Sequence, residues 1–339
     1  MKNDIISREV LIKYLLDRGV IDDKEGYKVE YCKGGVSCIT ALVETPGKTM
    51  LVKQGRPKLA VKEEWLADPA RIKTEVKATE VYNRYVPNAV PAVIFYDEES
   101  FIMVRYAAPA DCKMWKTDLL NGIIDFEVAK RAVEALVTIH NKCYNDPEIA
   151  ELFADDTIFY QLRISPLIEF VIGKHPELAG YGNSLIQRLK TNKHTLVHAD
   201  YNPKNILIKA DRNICILDYE IAHYGDPAFD LAFFANHIVL KSAYRRKWSA
   251  AILNMLLSMT DVYFEQMTYG DPKTVEAESI KILAMMMFAR IDGKSTVEYI
   301  TEEANKQLVR DMAMKLLTSG IKSYHEAAEI FLAMEKTLP

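Results

Sequence analysis

The sequence predicts an α+β fold of two lobes, a small antiparallel sheet at the N-terminal end followed by a larger helical lobe. Three observations carry this. Residues 27–54 contain the runs YKVEYC, CITALVE and TMLVKQ, rich in Val, Ile, Thr and Tyr and separated by Gly34-Gly35 and Pro46-Gly47, as expected of strands joined by tight turns. Residues 86–106, VPNAVPAVIFYDEESFIMVRY, add two strand patterns around an acidic turn. From residue 107 apolar positions recur at helical spacing, and nearly everything after Asp230 is helix-patterned. The expected lobes are therefore 1–106 and 107–339.

In chain order, residues 7–19 form an amphipathic helix stopped by Gly19, and the three strand runs of 27–54 follow. ARIKTEVKATEVYNRY, 70–85, places Ile72, Val76 and Thr79 on one helical face. In the second lobe DFEVAKRAVEALVTIHNKCY is the clearest helix, and TLVHA, NILIKA and NICILDY are short β-like runs.

The chain has 339 residues, 49% hydrophobic and 27% charged, enough to bury one or two full cores. Its formal net charge of -4 argues against a nucleic-acid binder that relies on diffuse positive charge. The five cysteines, Cys32, Cys38, Cys112, Cys143 and Cys215, show no CxxC spacing, and the seven histidines show no HExxH. Neither a disulfide framework nor a zinc site is expected. The N-terminus lacks the apolar stretch of a secretory signal, and runs such as ILAMMMFA are too short to span a bilayer. The expectation is a reduced, cytoplasmic protein without a membrane partner; the sequence leaves a homodimer open.

Two segments concentrate the chemistry. LVHADYNPKNILI holds His198, Asp200 and Asn205, and CILDYEIAHYGDPAFDLA holds Asp218 and Glu220. Buried carboxylates are costly unless positive charge sits among them. Asp200 and Asn205 have the D-x-x-x-x-N spacing in which the Asp takes the proton of an attacking hydroxyl and the Asn oxygen ligates magnesium. Asp218 and Glu220, at i and i+2 after a strand-like run, lie on one side of an extended backbone and suit a hard cation. Alone, either pair reads as surface charge; together, between apolar runs, they read as a phosphoryl-transfer site. His198 fits a structural hydrogen-bonding role under the loop, and His140 a packed or capping one.

Such a site also needs a cation on the nucleotide phosphates. Lys53, on a predicted strand, is the candidate, with Glu75 of the next helix orienting it. Gly34-Gly35 would cover the phosphates, although a plain hairpin turn looks the same. Adenine is expected near Met103 to Tyr106, at the lobe junction. Trp65 is expected either to close over the substrate or to pack as a half-buried ring.

These residues resemble the aminoglycoside phosphotransferase and choline kinase superfamily, small-molecule kinases with a protein-kinase-like fold. HADYNPKNIL matches its H-G-D-x-x-x-x-N loop with Ala199 in place of the glycine, and ILDYE with YGDPAFDLA resembles its metal-binding and following segment. LVKQ, EEWLADPARIKTEVKA, YVPNAVPAVIFYDEE and ARIDGKSTVEYI are similar to stretches of the 5-methylthioribose kinase family. The resemblance implies ATP and Mg2+, phosphorylation of the anomeric hydroxyl of methylthioribose, and a role in methionine salvage. It implies Lys53 on phosphates, Asp200 as catalytic base, Asp218 and Glu220 on magnesium, and Arg290 binding substrate. The chain departs from that family in having Ala289-Arg290 where two arginines are usual, in its Gly225-Asp226-Pro227, and in its glycine loop. Other sugars, choline-type alcohols or aminoglycosides are the alternative acceptors, and a non-catalytic nucleotide binder is the rival class. A protein kinase is disfavoured because Glu220 runs straight into GDPAFDLA, without space for an activation loop.

Overall fold

The computed structural model describes residues 5–22, 26–32, 38–56 and 68–337. It divides into two compact units, Met1–Cys112 with Asp218–Ile221, and Lys113–Leu217 with Ala222–Pro339. The four residues Asp218–Ile221 thus pack with the first unit although they lie deep in the second half of the chain.

In the first unit, helix α1 (Arg8–Asp17) begins at Ser7, whose hydroxyl accepts the Val10 N–H, and is left by Gly19 at a φ of 65°. Strands β1 (Lys28–Tyr31), β2 (Cys38–Thr45), β3 (Lys48–Gly55), β4 (Val93–Asp97) and β5 (Ile102–Tyr106) form one sheet in the order β1-β2-β3-β5-β4. All its pairings are antiparallel. Alternation along β3 decides what each face sees. Met50 and Val52 enter a core with Leu11 and Leu15 of α1, while the opposite face carries Lys53 beside a small cluster of Cys38, Met103 and, from helix α2 (Arg71–Tyr85), Ile72 and Val76.

The second unit starts with β6 (Lys113–Met114), α3 (Trp115–Leu120), α4 (Phe126–Cys143) and α5 (Pro147–Leu152). A helical run follows: α6 (Thr157–Phe159), a π-helical stretch over Tyr160–Glu169, α7 (Phe170–Lys174) and then α8 (Ala179–Thr191). Four short strands, β7 (Thr195–Val197), β8 (Ile206–Ile208), β9 (Ile214–Ile216) and β10 (His223–Gly225), make two small sheets, β10-β7 and β6-β8-β9. The chain ends in five helices, α9 (Pro227–Tyr244), α10 (Ser249–Gln266), α11 (Pro272–Asp292), α12 (Glu303–Thr318) and α13 (Tyr324–Glu335). Asp226 caps α9 by accepting the Ala228 N–H, and Pro227 opens its first turn, which is the local use of the Gly-Asp-Pro sequence. No helix among the described residues is long and apolar enough to cross a membrane. All five cysteines are free thiols.

Candidate active site

In the first unit a buried cluster of charge forms around Lys53. Its Nζ donates to Glu75 Oε2 and to Asp218 Oδ1, each at 2.6 Å, and lies 3.7 Å from Glu220 Oε2. Burial alone would push the ammonium down, but Asp218 and then Glu75 outweigh it and hold Lys53 well above the usual lysine range. Glu75 behaves oppositely: burial raises its carboxyl, Lys53 pulls it back, and Asp218 and Glu220 add repulsion, so the net direction is upward. Arg71 belongs to the same cluster. It is fully buried, and its Nε donates to Glu220 Oε2 at 3.1 Å while its Nη1 donates to the carbonyl oxygens of Arg56 and Asp68. Cys38, whose thiol is pushed up to about 12 by burial, donates to the same Glu220 oxygen.

The ligating oxygens of Glu75, Asp218 and Glu220 lie within 4.8 Å of one another. Three carboxylates against the cations of Lys53 and Arg71 leave one negative charge, and these hard oxygen donors fit a divalent cation such as magnesium. The route to this arrangement differs from the extended i, i+2 pair expected from sequence. Strand β9 ends at Ile216, and Asp218 takes a left-handed φ of 69°. The turn sends the Asp218 carboxylate to Lys53 and the Glu220 carboxylate to Arg71.

In the second unit the segment after β7 is built around Asp200. Arg163 Nη2 lies 2.5 Å from Asp200 Oδ1, and Asn205 Nδ2 donates to Asp200 Oδ2 at 2.7 Å. Asn205 turns its amide nitrogen toward Asp200, which leaves the carbonyl branch for a cation. The Asn205 backbone oxygen accepts the N–H of Leu217, the residue just before Asp218. The loop is pinned from below by Asp230 in the first turn of α9, whose carboxylate accepts the N–H groups of His198 and Ala199 at 2.7 and 2.8 Å and meets His140 Nε2 at 3.3 Å. Burial pushes Asp230 up, but His140 and the His198 N–H overcome it and hold the carboxyl below its usual range. His198 is buried and its Nδ1 accepts the Asp200 N–H, in line with a structural role; His140 is buried against Tyr263. Ala199 sits at a φ of 62°, the left-handed region where the family pattern has glycine.

Of the remaining expected residues, Met103 is buried on β5 directly opposite Lys53, and Tyr106 ends the same strand with its ring half-exposed. Arg290, near the end of α11, donates through Nη1 to the Ser295 carbonyl and hydroxyl. Ala289 is fully buried. Gly34, Gly35 and Trp65 lie outside the described residues. Sequence reasoning missed Arg71, Arg163 and Asp230. Asp230 was within reach, since it follows the cap Asp226 by one helical turn in the Asp-Leu-Ala sequence. Arg163 carries no spacing signal at all, because it comes from a helical run 37 residues before Asp200.

Residues 174–263 match the model of the phosphotransferase enzyme family. A methylthioribose kinase from Bacillus cereus is 21% identical over 283 residues, covering 75% of this chain and 70% of its own. Among solved structures, an ethanolamine kinase from Plasmodium vivax superposes with a TM-score of 0.55 at 12% identity, covering 99% of this chain and 90% of its own. The amicoumacin kinase hAmiN, solved in complex with AMP-PNP, Ca2+ and Ami, superposes with a TM-score of 0.55 at 11% identity, covering 95% of this chain and 99% of its own. The fold is therefore kinase-like, and the match to the phosphotransferase enzyme family model is confined to residues 174–263.

Proposed function

We propose that this protein is an ATP-dependent small-molecule kinase that transfers the γ-phosphoryl group to the hydroxyl of a sugar or related alcohol. The observation that carries the reading is the Lys53 ammonium, buried and held at 2.6 Å by both Glu75 and Asp218. A cation so fixed is preorganised for polyphosphate, and lining it with carboxylates prepares the same place for a metal. The neighbour bound to AMP-PNP and Ca2+ supports a nucleoside triphosphate and a divalent cation here too.

In this reading Asp200 positions the acceptor hydroxyl and takes its proton as the oxygen attacks in line. Arg163 and Asn205 fix the rotamer of Asp200, one on each carboxylate oxygen. Lys53 steadies the transferred phosphates, Glu75 holds Lys53, and Met103 and Tyr106 lie on the strand expected to meet adenine. Asn205, Asp218 and Glu220 would hold magnesium, which supplies charge neutralisation on the phosphates. Gly34, Gly35 and Trp65 complete the expected set as phosphate cover and substrate lid. Methylthioribose is the first acceptor to try, given the Bacillus cereus relative; it would place the reaction in methionine salvage.

The test is acceptor-dependent ADP release from Mg-ATP over a panel of 5-methylthioribose, ribose analogues, choline-type alcohols and aminoglycosides. Turnover of one acceptor, lost by about a thousandfold or more in Asp200→Asn, is expected. An Asp200→Asn enzyme as fast as wild type would sink the assignment.

A further inference from the structure

The second unit contains more positive charge than the proposed chemistry uses. Phe233 on α9 is approached by the guanidinium groups of both Arg163 and Arg290, their Cζ atoms 5.1 and 5.2 Å from its ring centroid. His237 and Lys241 follow about one and two turns along α9, and two ammonium groups approach the Tyr299 ring, Lys241 Nζ at 5.6 Å and Lys116 Nζ at 5.7 Å from its centroid. Two of the four cations have counterions: Arg163 pairs with Asp200, and Lys116 with Glu298. The other two form no ion pair within 4 Å among the described residues; Glu298 acts on both from further away and Asp200 on Arg290, so these two carboxylates are shared among four cations and two positive charges stay in excess. Lys241 is 1% exposed and donates to the carbonyl oxygen of His237; Arg290 reaches only Ser295.

Three buried polar atoms here also lack a hydrogen-bond partner among the described residues: Arg290 Nε, His237 Nε2 and Tyr299 Oη. A buried cation without a counterion is expensive, and a buried donor without an acceptor adds to the cost. Such an arrangement persists where a ligand completes it. The cations press on one another: burial, then Arg290 and Lys241, hold His237 well below its usual range, so it stays a neutral imidazole. A cationic acceptor would meet like charge, and a neutral sugar would leave the excess of two positive charges in place.

We infer that the acceptor alcohol carries an oxyanion, a carboxylate or phosphate, which Lys241 and Arg290 bind with help from Tyr299 while the hydroxyl is presented to Asp200. This rests on the kinase reading for the role of Asp200, but the anion site stands on the charge balance alone. It excludes choline-type and aminoglycoside acceptors and prefers sugar acids or sugar phosphates to methylthioribose.

The experiment has two arms. In the binding arm, thermal protection of the purified protein is titrated with D-gluconate, D-ribose 5-phosphate and neutral D-ribose, on wild type, Lys241→Met and Tyr299→Phe. One of the two anions should protect at concentrations at least about tenfold below D-ribose, and Lys241→Met should weaken that anion by about 10- to 100-fold. Whichever anion protects identifies the oxyanion. Tyr299→Phe keeps the ring and removes only the hydroxyl, so it should weaken the anion less and remain informative if Lys241→Met folds badly. In the turnover arm, the ratio of kcat/KM for the anionic over the neutral acceptor should collapse in Lys241→Met. Equal protection by ribose and both anions overturns the inference even if a neutral sugar is phosphorylated. An equal loss for neutral and anionic acceptors also overturns it, because the cations would then serve the transferred phosphoryl group. Anion binding that depends on Lys241 without ADP release from any acceptor would instead sink the kinase reading and keep the site.

Discussion

Replacing Lys53 by Met removes one charge from the first unit while keeping most of the apolar stem, so it isolates the electrostatics of the cluster. Glu75 is 2% exposed and loses its partner at 2.6 Å; Asp218 loses the same contact. Deleting one member of a buried ion pair costs about 3–5 kcal/mol when the other member stays ionised. In a unit of this size each kcal/mol lowers Tm by about 4 °C or more, so a fall of about 10–20 °C is expected at neutral pH. The pH dependence has a definite sign. Burial already holds Glu75 above its usual range, and Lys53 is the first group that lowers it; without Lys53 the carboxyl rises further. A carboxyl raised in the folded state favours folding below its unfolded pKa, and that contribution is lost as pH rises through the folded value. Lys53→Met should therefore approach wild type near pH 5, roughly where unfolded glutamate begins to protonate, and diverge as pH rises. Adding Glu75→Gln removes the stranded charge and should restore about 1–3 kcal/mol. Calorimetric unfolding of the four proteins of this cycle, at low and neutral pH, measures every term. A loss independent of pH, or a double variant no more stable than Lys53→Met, would refute the argument.

Three further perturbations probe the second unit. Ala199→Gly relieves a left-handed alanine worth about 1–2 kcal/mol and gives back about 0.5–1 kcal/mol in unfolded-chain entropy, so urea unfolding should show a net gain of up to about 1 kcal/mol; a loss would mean that the alanine methyl packs productively. Asp230→Asn replaces one accepting oxygen by an amide donor facing the His198 or Ala199 N–H. It should cost about 1–3 kcal/mol and lower kcat more than the KM for ATP, whereas a stability loss with unchanged kcat would restrict Asp230 to holding the fold. Lys241→Met should stabilise the protein. Burial, followed by Lys116, pushes this ammonium down to about 7, so the cost is full below that pH and is relieved as pH rises toward the unfolded lysine value. The gain should be about 2–4 kcal/mol near pH 6 and smaller near pH 9; equal gains at both would mean that apolar packing, not charge, accounts for it.

The sequence revealed those parts of the molecule whose physics is local. Alternation placed the strands of the first unit, helical periodicity placed α4, and the fixed spacing of Asp200 and Asn205 marked a loop whose two side chains meet at 2.7 Å. Spacing failed where one residue's backbone left the assumed conformation. Asp218 takes a left-handed φ rather than the extended backbone assumed, yet its carboxylate and that of Glu220 still come within 4.8 Å of one another, so the pairing was legible and the route to it was not. It failed more completely where partners come from distant segments. Arg163 reaches Asp200 across 37 positions and Arg71 reaches Glu220 across 149, and nothing in RISPL or PARIK separates a buried guanidinium from a solvated one. Lys241 shows the same limit from the other side. In FANHIVLKSAY its position four residues after His237 is what a surface lysine on a helix also has; only the packing of α11 against α9, and of Tyr299 beside the ammonium, shows that the charge is buried without an ion pair among the described residues. Sequence pattern therefore marks the proposed Asp200–Asn205 loop, whose side chains meet through a short segment, whereas charge balance among helices that meet only in the folded chain is not legible in it. That is why the charge to be neutralised at Lys241 and Arg290 is a guide to the acceptor independent of the names of relatives about 21% identical to this chain.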